Sequence, residues 1–421
     1  MTRIELAYGR GALVLEHDEQ RFPILSADGF DDERPLSDAE IGAAIDSPLF
    51  SQPLGEIVSP GDSVLIVVSD ATRECGTAQI TNLLVRRLIE YGVAPSEIRI
   101  IFATGIHRPV KPNERRDLLT PFIAQRIKTL DHDAYDPSQH IELGTTEVGT
   151  SVDVNRALKE HTHVILTGGI GFHYFAGFTG GRKSICPGLA SSATIEATHM
   201  LALDFEKGGR REGVGSGKLD GNSVHEECDR IASMIAPSFL VNSIVDGRGR
   251  VVRVYAGDWR RAHRQACDEY QVAHSLQIDS RRDIVIASCG GAPYDINLIQ
   301  AHKTLDMAAL ACTEGGTIIL VAECSDGLGR ADFLKWFDEP NSRDLEKSLH
   351  RNYEVNGQTA WSLLVKAERF KIHLVSSLPA DSVRQMRMVP ARTIDEALAQ
   401  TSHSSNGYIV PRGTSLLPVV A

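Results

Sequence analysis

Long apolar runs are missing from this 421-residue chain. No stretch approaches the roughly 20 apolar residues that a bilayer span needs. The opening MTRIELAYGRG also lacks the apolar core of a signal peptide. Positive charge is scarce too: 44 Lys and Arg stand against 55 Asp and Glu, for a formal charge of −11, with no basic block. That balance argues against a nucleic-acid partner. Cysteine pairs are absent as well. Cys75, Cys186, Cys228, Cys267, Cys289, Cys312 and Cys324 are scattered singly. This argues against a four-cysteine zinc site and for free thiols in a reducing cytoplasm. There is no low-complexity tract and no repeat of fixed period. The expectation is a cytoplasmic globular protein of two or three domains, with no membrane partner.

What is present is a β-α alternation. The first forty residues read as short strands and turns with an acidic stretch, DGFDDERPLSDAE. SVLIVVSD is a buried strand. TAQITNLLVRRLIEYG follows with Ile80, Leu83, Leu84 and Leu88 at helical spacing, and Gly92 caps it. EIRIIFATG and HVILTGG are further strands, and PNERRDLL starts a helix with proline in its first turn. FLVNSIVDGRGRVVRVYAG is a hairpin turning at Asp246-Gly247. After DSRRD a second run of the same kind begins with DIVIASC, then INLIQAHKTLDMAALAC, GTIILVAEC and FKIHLVSS. The predicted class is α/β: two α/β domains with mainly parallel sheets and a ligand cleft between them. The expected boundaries are residues 1–275, with 400–421 as a possible addition to that domain, and residues 280–399.

Ligands in such sheets bind beyond the carboxyl ends of the strands. The segments leaving those ends are SDATRE, ATGIHRP, TGGIGFHYFAGFTGGRKS and CGGAPYD. The third ends in Gly181-Arg182-Lys183-Ser184, one residue away from a phosphate loop, with Arg182 where that loop needs glycine. Its glycines allow backbone N–H groups to approach an anion, and an expected helix N-terminus adds a favourable dipole. His107 and His173 lie on loops where catalytic groups collect, whereas His199 sits on the helix SSATIEATHMLALD. His132, His140, His161, His163 and His225 read as structural. In QAHKTLD, Gln300, Lys303 and Asp306 share a helical face. Arg73 and Lys303 together suit a carboxylate substrate, with Asp70 binding a hydroxyl or orienting Arg73.

SDATR, ATGIHRP, GGIGFHYFAGFTGGRKSICPG with ATH just beyond, and QAHKTLD, in that order and spacing, resemble the lactate racemase family over nearly the whole chain. The resemblance implies a nickel-pincer nucleotide, a nickel pyridinium-3,5-bisthiocarboxylic acid mononucleotide, joined covalently to Lys183 and supplied by separate cofactor biosynthesis enzymes. It further implies His199 as the nickel ligand, with Asp70, Thr72, Gly180, Gly181 and Arg182 around the nucleotide. His107 and His173 become the acid/base pair, and Arg73, Gln300, Lys303 and Trp361 the substrate contacts. One departure stands out: TRECGT replaces the proline that often follows Thr-Arg in the family. The wall beside Arg73 is therefore altered, and the substrate is a 2-hydroxy acid that need not be lactate. Arg108, Tyr294 and Arg330 are candidates for contacts to a larger or doubly charged one.

The chemistry suits these residue types. Removing the α-proton of a 2-hydroxy acid is hard beside a carboxylate, whereas removing hydride gives a planar 2-keto acid that can be reduced on either face. Two histidines then serve the hydroxyl proton of the two enantiomers. Two alternatives stay open at this point. One is a metal-dependent hydrolase using His107, His173 and His199. The other is a non-catalytic nucleotide-binding homologue. Oligomeric state is left open.

Overall fold

The computed structural model describes residues 1–27, 29–30, 33–401 and 405–421; Asp28, Asp31 and Asp32 of the acidic stretch lie outside them. The chain divides into two compact units. The larger holds Gly29–Ala202 and Arg211–Val272, and the smaller holds Met1–Asp28, Leu203–Arg210 and Ala273–Ala421. No helix among the described residues is long and apolar enough to cross a membrane.

In the larger unit the β-branched runs form a six-stranded sheet. Its order is Val251–Gly257, Phe239–Val245, His163–Gly169, Val64–Ser69, Ile98–Ala103, Lys128–Asp131. Every adjacent pair is parallel except the Phe239/Val251 hairpin at one edge. Val64 to Val68 are wholly buried, as expected of a strand covered on both faces. The helix Thr77–Glu90 covers one face, burying Ile80, Leu84 and Leu88 against Val64, Ile66 and Ile100. From Val64–Ser69 the chain moves outward through Ile98–Ala103 to Lys128–Asp131, then returns to the other side with His163–Gly169. The topological switch point therefore lies between Val64–Ser69 and His163–Gly169, and their following loops open at its carboxyl edge.

The smaller unit has a five-stranded parallel sheet in the order Val389–Ala391, Lys371–Val375, Cys312–Val321, Arg282–Ser288, Gly407–Val410. The α/β class with mainly parallel sheets is as the rhythm predicts. The allocation of the chain ends differs from the sequence reading. The hairpin of Thr2–Tyr8 and Gly11–His17 buries Leu6 and Leu15 with Ile284, Ile286 and Ile409 in the smaller unit's core. Gly407–Val410 is an edge strand of that unit's sheet, and Leu417–Val420 pairs with Ser275–Ile278. Residues 1–28 and most of 400–421 therefore belong with the C-terminal segment. Short apolar strands declare their own hydrophobicity but not the sheet they complete.

Candidate active site

The turn after Val64–Ser69 is built by its own side chains. Asp70 Oδ1 accepts from the Thr72 backbone N–H at 2.9 Å and from the Thr72 hydroxyl at 2.5 Å. Asp70 Oδ2 is left for His107, whose Nδ1 lies 2.6 Å away. His107 reaches this position from the turn after Ile98–Ala103, where Gly105 takes φ +52°. Asp70 is buried while the His107 side chain is 41% exposed. Burial opposes ionisation of Asp70. The His107 hydrogen bond and the Arg73 charge outweigh it and hold the carboxyl well below its usual range. With Nδ1 tied to a carboxylate, His107 has Nε2 available for proton transfer. Asp70 and Thr72, expected around a nucleotide, here form the seat of His107. The Arg73 guanidinium makes no hydrogen bond or ion pair among the described residues.

Beyond His163–Gly169 the chain makes a two-residue ladder, Phe172–His173 against Gly177–Phe178. His173 is buried, stacked on Tyr174 with centroids 5.3 Å apart and edge-on to Phe175 at 4.5 Å. Its Nδ1 accepts from the Ala176 N–H at 3.3 Å, so a neutral His173 carries its proton on Nε2.

Side chains far away in sequence hold this loop. Asn242 donates to the Gly168 carbonyl at 3.1 Å and accepts from the Gly181 N–H at 3.0 Å, tying both arms together. Asn222 donates to the Phe175 and Lys218 carbonyls at 2.9 and 3.0 Å. At Gly181, φ is +53° and an added Cβ would lie 2.5 Å from the His263 ring. The glycine is thus demanded by the protein's own packing. Neither asparagine nor His263 carries a motif in the sequence; only Asn242's place inside an apolar strand hinted at a buried polar role.

Two expectations for the loop change. Gly181–Ser184 is a single 3₁₀ turn, and the next helix, Ser192–Met200, starts well beyond it. No long helix N-terminus faces the loop, because Cys186-Pro187 and Gly188 interrupt it. Arg182 is 1% exposed and points inward. It donates to the Ala176 and Phe178 carbonyls at 2.7 and 3.2 Å and meets His263 Nε2 at 3.0 Å. Its guanidinium is an internal strut of the loop.

Lys183 is half-buried, with Nζ 5.3 Å from the Phe175 ring centroid. Its ammonium has no hydrogen-bond or ion-pair partner among the described residues. Burial, reinforced by the charges of Arg182 and Arg73, pulls its pKa down to about 7. His199, in the last turn of Ser192–Met200, meets the same Phe175 edge-on at 4.8 Å. Burial and the Lys183 charge lower its pKa to about 3, leaving a neutral imidazole. A partly neutral amine and a neutral imidazole thus flank one aromatic ring, the states required of a nucleophile and of a metal ligand. Among the described residues, no three His, Cys, Asp or Glu side chains converge as a metal site. His107, His173 and His199 are therefore not a preformed three-ligand centre.

In the smaller unit the helix Leu298–Ala311 is capped by Asn297, whose side chain accepts from the Gln300 N–H at 3.0 Å. Lys303 Nζ donates to Gln300 Oε1 at 2.6 Å, so these two form one polar pair. Asp306 does not join them, and pairs instead with Lys366 at 2.8 Å and Arg210 at 3.1 Å. Trp361, on the helix Val355–Arg369, is 4% exposed, and its Nε1 has no hydrogen-bond partner. Arg108 is bound to Glu114 at 2.8 Å and Arg330 to Asp332 at 3.1 Å.

Residues 8–209 match the lactate racemase N-terminal domain, and residues 278–417 match the lactate racemase C-terminal domain. A lactate racemase of Lactiplantibacillus plantarum is 31% identical over 433 residues, covering 99% of this chain and 100% of the relative. One of Thermoanaerobacterium thermosaccharolyticum is 29% identical over 431 residues, covering 99% of each. The solved lactate racemase apoprotein of Thermoanaerobacterium thermosaccharolyticum superposes with a TM-score of 0.88 at 27% identity, over 99% of this chain and 100% of that one. A Thermotoga maritima protein shares the fold, with a TM-score of 0.70 at 20% identity, over 92% of this chain and 100% of that one. The order of motifs, the two-unit α/β fold and these full-length matches agree: the chain belongs to the lactate racemase family.

Proposed function

We propose that this protein racemises or epimerises a 2-hydroxy acid, lactate-like, malate-like or a sugar acid, with a nickel-pincer nucleotide attached to Lys183. The observation that carries this reading is Lys183 itself. It is a half-buried amine that, among the described residues, meets the Phe175 ring but has no hydrogen-bond or ion-pair partner, and it lies near a neutral His199 that can ligate a metal. In this reading Lys183 is the attachment point and His199 the protein's ligand to nickel. Gly180 and Gly181, packed on Asn242, Ile170 and His263, shape the loop that carries Lys183 and lie beside the nucleotide in this reading. When bound, the group supplies a hydride acceptor and donor for the substrate's α-carbon.

The chain's own residues handle the proton and the charge. Asp70 fixes His107 through Nδ1, so Nε2 takes the hydroxyl proton of one enantiomer. His173, oriented by the Ala176 N–H and the Tyr174 and Phe175 rings, serves the other. Arg73, whose guanidinium has no hydrogen bond or ion pair among the described residues, is a cation suited to the substrate carboxylate. Gln300, Lys303 and Trp361 are substrate contacts in this reading. All seven thiols are free and buried, which supports a reducing, cytoplasmic setting. Cofactor biosynthesis enzymes are the proposed partners. The hydrolase alternative is disfavoured because no three-ligand group converges among the described residues and because it leaves Lys183 without a role.

The test is intact mass and metal content of protein made together with the pincer-cofactor biosynthesis enzymes, for wild type and Lys183→Ala. The expected result is a mass adduct with about one nickel per chain, both lost in Lys183→Ala, and interconversion of single-enantiomer 2-hydroxy acids. An adduct without turnover on any of them would favour a non-catalytic homologue. Neither adduct nor nickel, where a loading control succeeds, would refute the proposal.

A further inference from the structure

The helix Leu298–Ala311 buries Leu298, Ala301, Leu305 and Ala308 and packs on the helix Val355–Arg369. Apolar contacts are non-directional and tolerate repacking, so they specify a register less sharply than a buried ion pair does. Into this interface the sequence places charge. Lys366 is 6% exposed and Asp306 10% exposed, as side chains. Lys366 Nζ reaches Asp306 Oδ1 at 2.8 Å and is also held by the Ser362 carbonyl at 3.0 Å and hydroxyl at 2.9 Å. Arg210 reaches the same Oδ1 at 3.1 Å, while Asp306 Oδ2 has no hydrogen-bond partner.

Arg210 arrives on the segment Leu203–Arg210, itself fixed within this unit. The Gly209 N–H donates to Glu346 Oε2 at 2.9 Å, and Phe205 meets His350 edge-on at 4.6 Å. Two cations sharing one oxygen of a single buried carboxylate are a poor stability device, because desolvation offsets most of the attraction. Fixing a register is the best-attested use of such groups.

We propose that Asp306, clamped by Lys366 and Arg210, is a positioning residue that fixes the register in which the helix Leu298–Ala311 presents Lys303 and Gln300. It lies one turn after Lys303 on one helix, and its partner Lys366 lies five residues after Trp361 on the other. One carboxylate thus ties together the helices that carry Lys303 and Trp361, two of the side chains that the proposed function assigns to the substrate, and the inference rests on that assignment. Asp306 and Lys366 touch no substrate in this account and act through Lys303.

The experiment measures acetylation of Lys303 by N-hydroxysuccinimidyl acetate, followed by peptide mass spectrometry on the full chain without added cofactor. The variants are Asp306→Asn, Lys366→Arg and the apolar pair Asp306→Leu with Lys366→Met, each checked for its unfolding midpoint. The pair covers the case in which Asp306→Asn fails to fold. In every folded variant lacking the Asp306 charge, Lys303 is expected to react at least threefold faster. Lys128 in the other unit should be unchanged, and Lys366→Arg should behave as wild type. A Lys303 rate equal to wild type in folded protein without the charge would overturn the proposal. In loaded enzyme, KM for lactate should rise about tenfold with kcat falling less than threefold, and a fall in kcat at constant KM counts against it. If Lys303 responds as expected but wild type racemises no 2-hydroxy acid, the positioning role stands and the activity assignment falls.

Discussion

The two units hold their chemical side chains by opposite means. In the larger unit all but His199 lie on loops at the carboxyl edge of a sheet, and the loop that carries His173 and Lys183 is tied down largely by side chain-to-backbone hydrogen bonds. Asn242 and Asn222 bridge backbone segments, and His263 packs against Gly181. In the smaller unit they lie on regular helices, pinned by a buried charge cluster. Loops have no register to lose, so directional hydrogen bonds suffice to set their shape. Helices have a shape already, and it is their register that must be specified.

The contrast can be sharpened from the strongest expected effect to the weakest. Asp70→Asn keeps the shape of the His107 seat but presents an amide that can favour the wrong imidazole tautomer. In loaded enzyme it is expected to lower kcat by roughly 10²–10⁴-fold with KM nearly constant. Steady-state kinetics at several pH values checks this, and a KM effect alone would assign Asp70 to binding.

Gly181→Ala forces a Cβ to 2.5 Å from His263 at φ +53°. It is expected to destabilise the larger unit by about 1–3 kcal/mol, read as a lower denaturation midpoint. If the loop simply yields, the midpoint will not move.

Acid should separate the units more gently. Burial pulls His132 to about 4, His199 and His263 to about 3 and His225 to about 2 in the larger unit. In the smaller unit it pulls His302 to about 3 and His373 to about 4. Each of these folded-state pKa values is depressed, so the unfolded chain binds more protons below about pH 6.5 and stability falls as pH drops from there. Burial opposes ionisation of Asp306, yet Lys366 and Arg210 hold it near 2, so its contribution is lost only below about pH 4. Hydrogen exchange between pH 6.5 and 4 should therefore show the larger unit losing protection first. Simultaneous loss would break the comparison.

What was legible in the sequence follows the same division. The strand-end segments announced themselves, because glycine, histidine and lysine in one loop are rarely all structural. Strands, most helices and the α/β class followed from hydrophobic period. The bond from Asp70 to His107, 37 residues apart, was not legible, nor was the Asn242 crosslink, 61 residues from Gly181. Arg182 was misleading because a guanidinium beside a lysine looks the same from sequence whether it faces a ligand or its own loop. The Arg210–Asp306–Lys366 cluster draws on three distant segments, and Asp306 at helical spacing from Lys303 read as part of the same face. Pair contacts of this kind depend on tertiary geometry that no local pattern encodes.

The smaller unit's sheet carries one more implication, for synthesis. Leu6 and Leu15 are synthesised well before Gly407–Val410, the strand that closes the edge of the core they enter. The larger unit has its whole sheet by Gly257 and is complete at Val272. It can fold before Gly407–Val410 is made, whereas the hairpin of Thr2–Tyr8 and Gly11–His17 must wait for that strand with an apolar face exposed. During translation that hairpin is therefore a segment that a chaperone would protect.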